Sequence, residues 1–292
     1  MKALVLSSIL FFLISFIDQK GRFRFPSQKE IVIEQTEMAA WRDLIDAAPD
    51  TFRENNGLRY REIGGGLAIN FQKEPIPLFN RVIGLGLTEP LTQKLIDSIK
   101  AFYALKEKYL IHFSSPMQPD HVDSLLKQNG FYLAGSWERI VRDAEPMQFQ
   151  QDSILIVKVD AHTKNTWVKF LIDTYGFSFY QWPEAFALRK NWKHYMALRQ
   201  GKIVACRSFY YTSFKTVFSG VDAPVPGVMT PDHGPDFAIW QQAIADGLKE
   251  GVTMFVADIE LPDRTKNKAS YEGFEALGFS IPYTRYHYRL NK

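Results

Sequence analysis

A single cysteine, Cys206, occurs in 292 residues. That excludes an intrachain disulfide and any metal site built from several thiolates. Cys206 lies in an apolar stretch of strand formers with no histidine nearby, which reads as a buried small hydrophobe rather than a nucleophile. No two of the six histidines are spaced His-x-x-x-His, so a metal centre is not expected. A large excess of one charge is also missing. The formal net charge is +3, and it arises within residues 1–30, where Lys2, Lys20, Arg22, Arg24 and Lys29 face Asp18 and Glu30. The balanced remainder offers no basic surface of the kind a nucleic acid requires. Residues 3–17 are apolar apart from serines, yet the run falls short of the ~20 residues needed to span a bilayer. It lacks a small-x-small cleavage site before Asp18, which argues against a signal peptide. The readings left open are a spurious or unprocessed extension, a weak membrane anchor through residues 3–17, and secretion. If the run inserts, the basic residues that follow it keep the body in the cytoplasm.

What the chain does contain is an ordinary globular composition, 46% hydrophobic, 14% aromatic and 23% charged. At this length one core usually splits into two. The hydrophobic periodicity predicts a helix over 38–48, two strands around Gly64-Gly65-Gly66 and a third strand over 79–87. It then predicts a long helix to about 108, a strand over 109–113, a helix ending at Asn129-Gly130 and a strand over 131–141. A polar segment with Pro146, residues 143–152, reads as the linker. The second half repeats the order: strand 153–159, helix 165–175, an irregular aromatic stretch 177–191, and a hairpin around Gln200-Gly201. A strand 215–221, helix 236–249, strand 253–259, helix 268–277 and strand 281–290 follow.

The two halves superpose at one place. Leu126-Lys127-Gln128-Asn129-Gly130-Phe131 matches Phe274-Glu275-Ala276-Leu277-Gly278-Phe279. In each, glycine ends a helix at the position that needs positive φ, and phenylalanine opens an aromatic strand. Two such endings in the same element order point to internal duplication. The expected divisions are residues 1–30 as a hydrophobic and basic extension, 31–145 as the first domain and 153–292 as the second. Two similar mixed-sheet domains of α/β class are expected.

The C-terminal helix reads Asn267-x-x-Ser270-x-x-x-Phe274-Glu275-x-Leu277-Gly278-Phe279. It resembles the last motif of the GCN5-related N-acetyltransferases, with phenylalanine where that motif usually has tyrosine. The segment from Phe79 to Gly86 resembles the amino-terminal partner domain of two-domain members. The resemblance covers about residues 34–290. It implies two tandem acetyltransferase-like domains, each a mostly antiparallel mixed sheet flanked by helices, and acetyl-CoA as co-substrate held between two splayed parallel strands. In the family a Gln/Arg-x-x-Gly-x-Gly/Ala loop holds the pyrophosphate on backbone amides at a helix start. The corresponding stretch here begins at Met229. Setting His233 at the first loop position puts Ala238 at the last, keeps the backbone amide of Gly234, replaces the central glycine by Asp236 and loses an amide at Pro235. A carboxylate about 5 Å from a diphosphate costs a few kcal/mol at an effective dielectric of ~20. The competing account is a plain helix cap at Asp232 or Gly234 followed by proline.

Candidate bases are Asp258 and Glu260, which share a strand face by period two; a solvated strand end is the alternative. His233 is a third, since imidazole titrates near neutrality. Tyr271, about one turn before Phe274, is the candidate acid for the thiolate, and Asn267 would hold the pantetheine arm or cap its helix. The expected activity is CoA-dependent transfer of an acetyl group to a small primary amine by direct attack, without a metal. The alternative is a degenerate relative that binds a ligand or partner without catalysis. A third, an aminoacyl-transferring relative that uses charged tRNA, conflicts with the neutral body.

Overall fold

The computed structural model describes residues 26–74, 76–104, 108–117, 121–147, 154–224 and 233–290. The apolar run 3–17 and Met229 lie outside them. The first half runs α1 (Gln28–Asp46), α2 (Asp50–Asn56), β1 (Leu58–Ile63), β2 (Gly66–Phe71), β3 (Asn80–Ile83), α3 (Gln93–Phe102), β4 (Leu110–Ser114), α4 (Val122–Gln128) and β5 (Phe131–Asp143). The second runs β6 (Leu155–Lys158), α5 (Lys164–Tyr175), α6 (Gln181–Phe186), β7 (Trp192–Arg199), β8 (Lys202–Tyr211), β9 (Thr216–Pro224), α7 (His233–Lys249), β10 (Met254–Ile259), α8 (Lys268–Ala276) and β11 (Ser280–Leu290). Apart from β6, each element of one half has a counterpart in the other.

The expected mixed α/β halves are present, and their sheets are continuous: the strands of the described residues form one 11-stranded sheet in the order β1-β2-β3-β4-β11-β5-β10-β9-β8-β7-β6. From one side, β1, β2 and β3 pair antiparallel, β3 pairs parallel with β4, and β4 pairs antiparallel with β11. From the other, β7, β8 and β9 pair antiparallel, β9 pairs parallel with β10, and β10 pairs antiparallel with β5. Each half has therefore given its last strand to the other, and the two exchanged strands pair with each other at the centre. The duplication stands, but its halves are joined through a shared sheet.

The matched helix ends show why the exchange is possible. Gly130 and Gly278 both adopt positive φ, 83° and 81°, which turns the chain out of its helix without Cβ strain. The following strand then leaves toward the opposite half. Arg142 of β5 closes the arrangement by donating from Nε to the carbonyl of Leu277 at 2.7 Å, capping the other half's α8.

α1 begins at Gln28, earlier than the periodicity predicts, with a capping box in which Ser27 and Glu30 satisfy each other's backbone amides. Lys29 pairs with Asp143 of β5 at 2.9 Å. A boundary at residue 30 would thus remove the helix start. Glu34, Thr36 and Glu37 are buried on α1, which disguises the inner face as a polar one. Among the described residues no helix is long and apolar enough to cross a membrane.

Candidate active site

β9 and β10 pair in parallel at Met254↔Thr216, Phe255↔Val217 and Val256↔Phe218 and then diverge. The strands continue as Ser219–Gly220–Val221–Asp222 on one side and Ala257–Asp258–Ile259 on the other, and a cavity of about 580 Å³ opens between them. That volume lies in the range of small-molecule sites. The start of α7 forms a further wall through His233, Pro235, Asp236 and Phe237. A helix start leaves its first amides without intrahelical acceptors and carries a partial positive charge. The equivalent segments of the first half stay close together: a Cβ on Gly86 would lie 2.7 Å from Cβ of Met117.

Glu260, one residue beyond β10, lines the cavity. The residue is exposed, yet desolvation by the protein around its carboxyl pushes it up to about 7, with repulsion from Asp222 and Asp258 in the same direction and Arg81 and Arg207 opposing. A carboxylate poised near neutrality suits a general base. Asp258 also lines the cavity, as the shared strand face predicted. It is committed elsewhere: Arg139 Nη1 and Arg285 Nη1 each donate to its Oδ2 at 3.1 Å. Burial raises its pKa, against both guanidinium groups.

Asp258 belongs to a buried charge cluster that sequence reasoning did not foresee. Glu37 of α1 accepts from Arg81 of β3 at 3.1 Å, from Arg285 of β11 at 2.7 Å and from Arg139 of β5. Glu34 accepts from Ser114 at 2.9 Å and from Tyr283 at 2.7 Å. Burial favours the neutral acid at Glu37, but Arg285, Arg139 and Arg81 outweigh it and bring the carboxyl down to about 2. The cluster ties both halves together directly behind the cavity. The available signal was the spacing of Glu34, Glu37 and Trp41 on one helix face, with arginines interrupting otherwise apolar strands.

The other predicted residues divide. His233 opens α7 and lines the cavity, and so does Asn267, whose Nδ2 donates to the carbonyl of Leu261 at 3.1 Å. Asn267 occupies the N-cap position of α8 without a side-chain cap bond. Gly234 lies in the first turn of α7; Ala238 is further along it, half-buried against the second half's core. Tyr271 is not brought to the cavity. It is buried, and its hydroxyl donates to Glu138 of β5, while Ser270 and Phe274 face the site. Cys206 forms part of the wall, buried, with its thiol pushed well up by that burial, as expected of a small hydrophobe. Asp236 is not a bare carboxylate: Arg207 holds it bidentately, Nε to Oδ1 at 2.6 Å and Nη2 to Oδ2 at 2.9 Å. The repulsion expected of this residue is thus offset by a guanidinium fixed beside it. Pro235 sits third in α7 rather than first, where its missing amide removes one of the free donors. Among the described residues no group of His, Cys, Asp and Glu could hold a metal ion.

No protein-family model matches the sequence, and no curated protein does. Solved structures do. A GCN5-related N-acetyltransferase from Kribbella flavida matches with a TM-score of 0.58 at 10% identity, over 89% of this chain and 96% of that one. One from Sphaerobacter thermophilus matches with a TM-score of 0.54 at 14% identity, over 91% and 94%. A tandem GNAT protein from the clavulanic acid biosynthesis pathway matches with a TM-score of 0.51 at 11% identity, over 89% and 93%. With splayed parallel strands, a helix start at their opening and near end-to-end coverage of a tandem relative, the chain has the fold of the GCN5-related N-acetyltransferases.

Proposed function

We propose that the protein is a CoA-dependent N-acyltransferase that moves an acetyl group from acetyl-CoA to a primary amine by direct attack. The observation that carries this reading is the cavity opened where β9 and β10 part, with the start of α7 on one wall and Glu260 at the end of β10. The pyrophosphate would lie over the start of α7, at His233 and Gly234, and Asn267 would meet the pantetheine arm. Glu260 takes the proton from the acceptor ammonium. The freed amine attacks the thioester carbonyl, the carbon–sulfur bond breaks, and CoA leaves as its thiolate, which takes the second proton from the acylated nitrogen. A thiol titrating near ~8.5 is an adequate leaving group at neutral pH, so the loss of Tyr271 from the site does not block the reaction. The amide-linked acyl group stays on the acceptor. No nucleic acid is required, and the cytoplasm, which supplies acetyl-CoA, is the natural compartment.

Two observations favour a second reading, a relative that binds a ligand without catalysis: Phe274 stands in place of the family's tyrosine, and Pro235 removes a phosphate-facing amide. Calorimetric titration with acetyl-CoA, followed by CoA-thiol release in the presence of a panel of primary amines, separates the two. Binding with turnover supports the enzyme. Binding without turnover of any amine supports the second reading, and no binding sinks the enzyme and leaves a relative that binds another ligand or a partner.

A further inference from the structure

The wall of the cavity away from α7 comes from the first half, and its chemistry narrows the acceptor. Arg81 of β3 lines the cavity while only 2% of its surface reaches solvent. Its guanidinium carbon lies 4.6 Å from the ring centre of Trp41 and 5.4 Å from that of Trp137. Behind it, Nη2 meets Glu37 at 3.1 Å and Nη1 meets the Nδ1 of His112 at 3.4 Å. Its Nε finds no acceptor among the described residues. Glu34, Glu37 and Asp258 balance Arg81, Arg139 and Arg285 in number, but of the three carboxylates Arg81 pairs directly only with Glu37, which it shares with two other guanidinium groups. Burial lowers Arg81 to about 10, with Glu37 only partly restoring it. A buried guanidinium with an unused donor at the edge of a cavity is suited to an anion.

Two carboxylates, Glu260 and Asp222, line the same cavity and repel one another, and Asp222 also accepts from Arg207 Nη2 at 3.3 Å. Arg81 and Glu260 are close enough for each to shift the other's titration. Beside them the cavity shares the walls Trp41, Leu78, Tyr175 and Gly220 with a second, almost wholly apolar crevice of about 50 Å³, closed by Phe177, Trp182 and their neighbours. A dry cavity of ~150 Å³ takes a benzene, so this crevice suits the end of a short branched chain.

We propose that the acceptor is an aliphatic α-amino acid, its ammonium between Glu260 and Asp222, its carboxylate on Arg81 and its side chain in the apolar crevice. This rests on the acetyl-transfer reading of the cavity, and it makes the first half the specificity element of a site whose cofactor side belongs to the second.

The test compares L-leucine with leucinamide and 3-methylbutylamine, which lack the carboxylate, and with glycine, which lacks the side chain. CoA release is followed at saturating acetyl-CoA, and L-leucine binding to the CoA-bound protein is followed by calorimetry. L-Leucine should exceed each of the other three in kcat/KM by at least tenfold. Arg81→Gln should cost L-leucine at least tenfold while changing leucinamide by less than threefold. Equal turnover of leucinamide and L-leucine would overturn the carboxylate assignment, and equal turnover of glycine and L-leucine the crevice. Arg81 also supports the core, so if the variant does not fold, the substrate series on the unaltered protein decides. If acetyl-CoA is bound but nothing is acetylated, the transfer reading fails alone and calorimetry still judges the acceptor. Heat from L-leucine but not from leucinamide upholds the proposal; no heat from L-leucine refutes it.

Discussion

Glu37→Gln removes one charge at the point where both halves meet and keeps the shape of the side chain. The carboxylate is fully buried and faces three guanidinium groups. Its pKa falls from 4.5 to about 2 on folding. At about 1.4 kcal/mol per unit, that linkage corresponds to about 3 kcal/mol of stability. The figure agrees with the ~3–5 kcal/mol lost when one partner of a buried pair is removed and the other charge is stranded. In a chain of this size it should lower Tm by roughly 5–8 °C. The sign of the pH dependence follows from a depressed acid. The stabilisation is complete above pH 4.5, is lost as pH falls from 4.5 toward 2, and is absent below.

Urea unfolding of both proteins at pH 7, 5, 4 and 3 tests this. The gap in unfolding free energy should be constant from pH 7 to 5 and narrow at 4 and 3, because the unaltered protein loses its charge advantage there. A gap under about 1 kcal/mol at pH 7 would mean that the cluster contributes no net stability. A full-sized gap persisting unchanged at pH 3 would mean that the cost is one of shape and that the ion pairs are incidental.

Glu260→Gln should reduce kcat/KM at least a hundredfold, the scale of a lost general base, and abolish a rise in activity through about pH 7. Because the raised pKa penalises the ionised folded form between pH 4.5 and 7, the variant should be as stable as the parent at pH 4.5 and more stable at pH 8, measured by thermal unfolding. A parent profile flat from pH 6 to 8 would remove Glu260 from the base role. Gly273→Ala should be destabilising although alanine is the better helix former, since its Cβ would fall 2.0 Å from the Phe237 ring; overpacking of this kind costs about 1–3 kcal/mol against ~1 kcal/mol of helix propensity. Phe237 also lines the cavity, so acetyl-CoA affinity should drop in calorimetry. An unchanged affinity would show that the α7–α8 contact does not shape the site.

Most elements were legible because their apolar spacing follows the local backbone period. The hairpin at Gly64-Gly65, the turn at Gln200-Gly201 and the helix ends at Gly130 and Gly278 all have positive φ at the residues where turns were read. What escaped was non-local. Strand alternation says which face a residue takes but not which strand lies beside it, so β11 could not be placed between β4 and β5. The inner face of α1 was hidden because Glu34 and Glu37 stand where apolar residues were sought, and their partners, Arg81, Arg139 and Arg285, are far away in sequence. In the cavity, Asp258 and Glu260 were found together because both follow from one strand. Their division into a clamped and an open carboxylate was not, since Arg139 and Arg285 reach Asp258 from the exchanged strands. Tyr271 fails for a similar reason: its hydroxyl is taken by Glu138 of the other half.

The exchange of β5 and β11 has a consequence for any attempt to divide the protein between β5 and β6. Residues 154–292 alone would lose the six register pairs that join β10 to β5, and β11 would lose both neighbours. Asp258 and Arg285 would keep each other but lose Glu37 and Arg139. β11 is the counterpart of β5, so the fragment's open edge at β10 is complementary to its own last strand. Closing in that way demands a new course for the chain after Gly278 and leaves Arg142 absent from the end of α8. Residues 26–147 face the mirror problem at β4. Neither fragment should therefore show the cooperative transition of the whole chain, whereas the two produced together should associate one to one with the near-ultraviolet dichroism of the parent. Two independently folded monomers of parent-like stability would show that the central strands are interchangeable and that the shared sheet is not what holds the halves. Even then the second half by itself would lack Trp41, Arg81 and Trp137, and with them part of the lining of its own cavity.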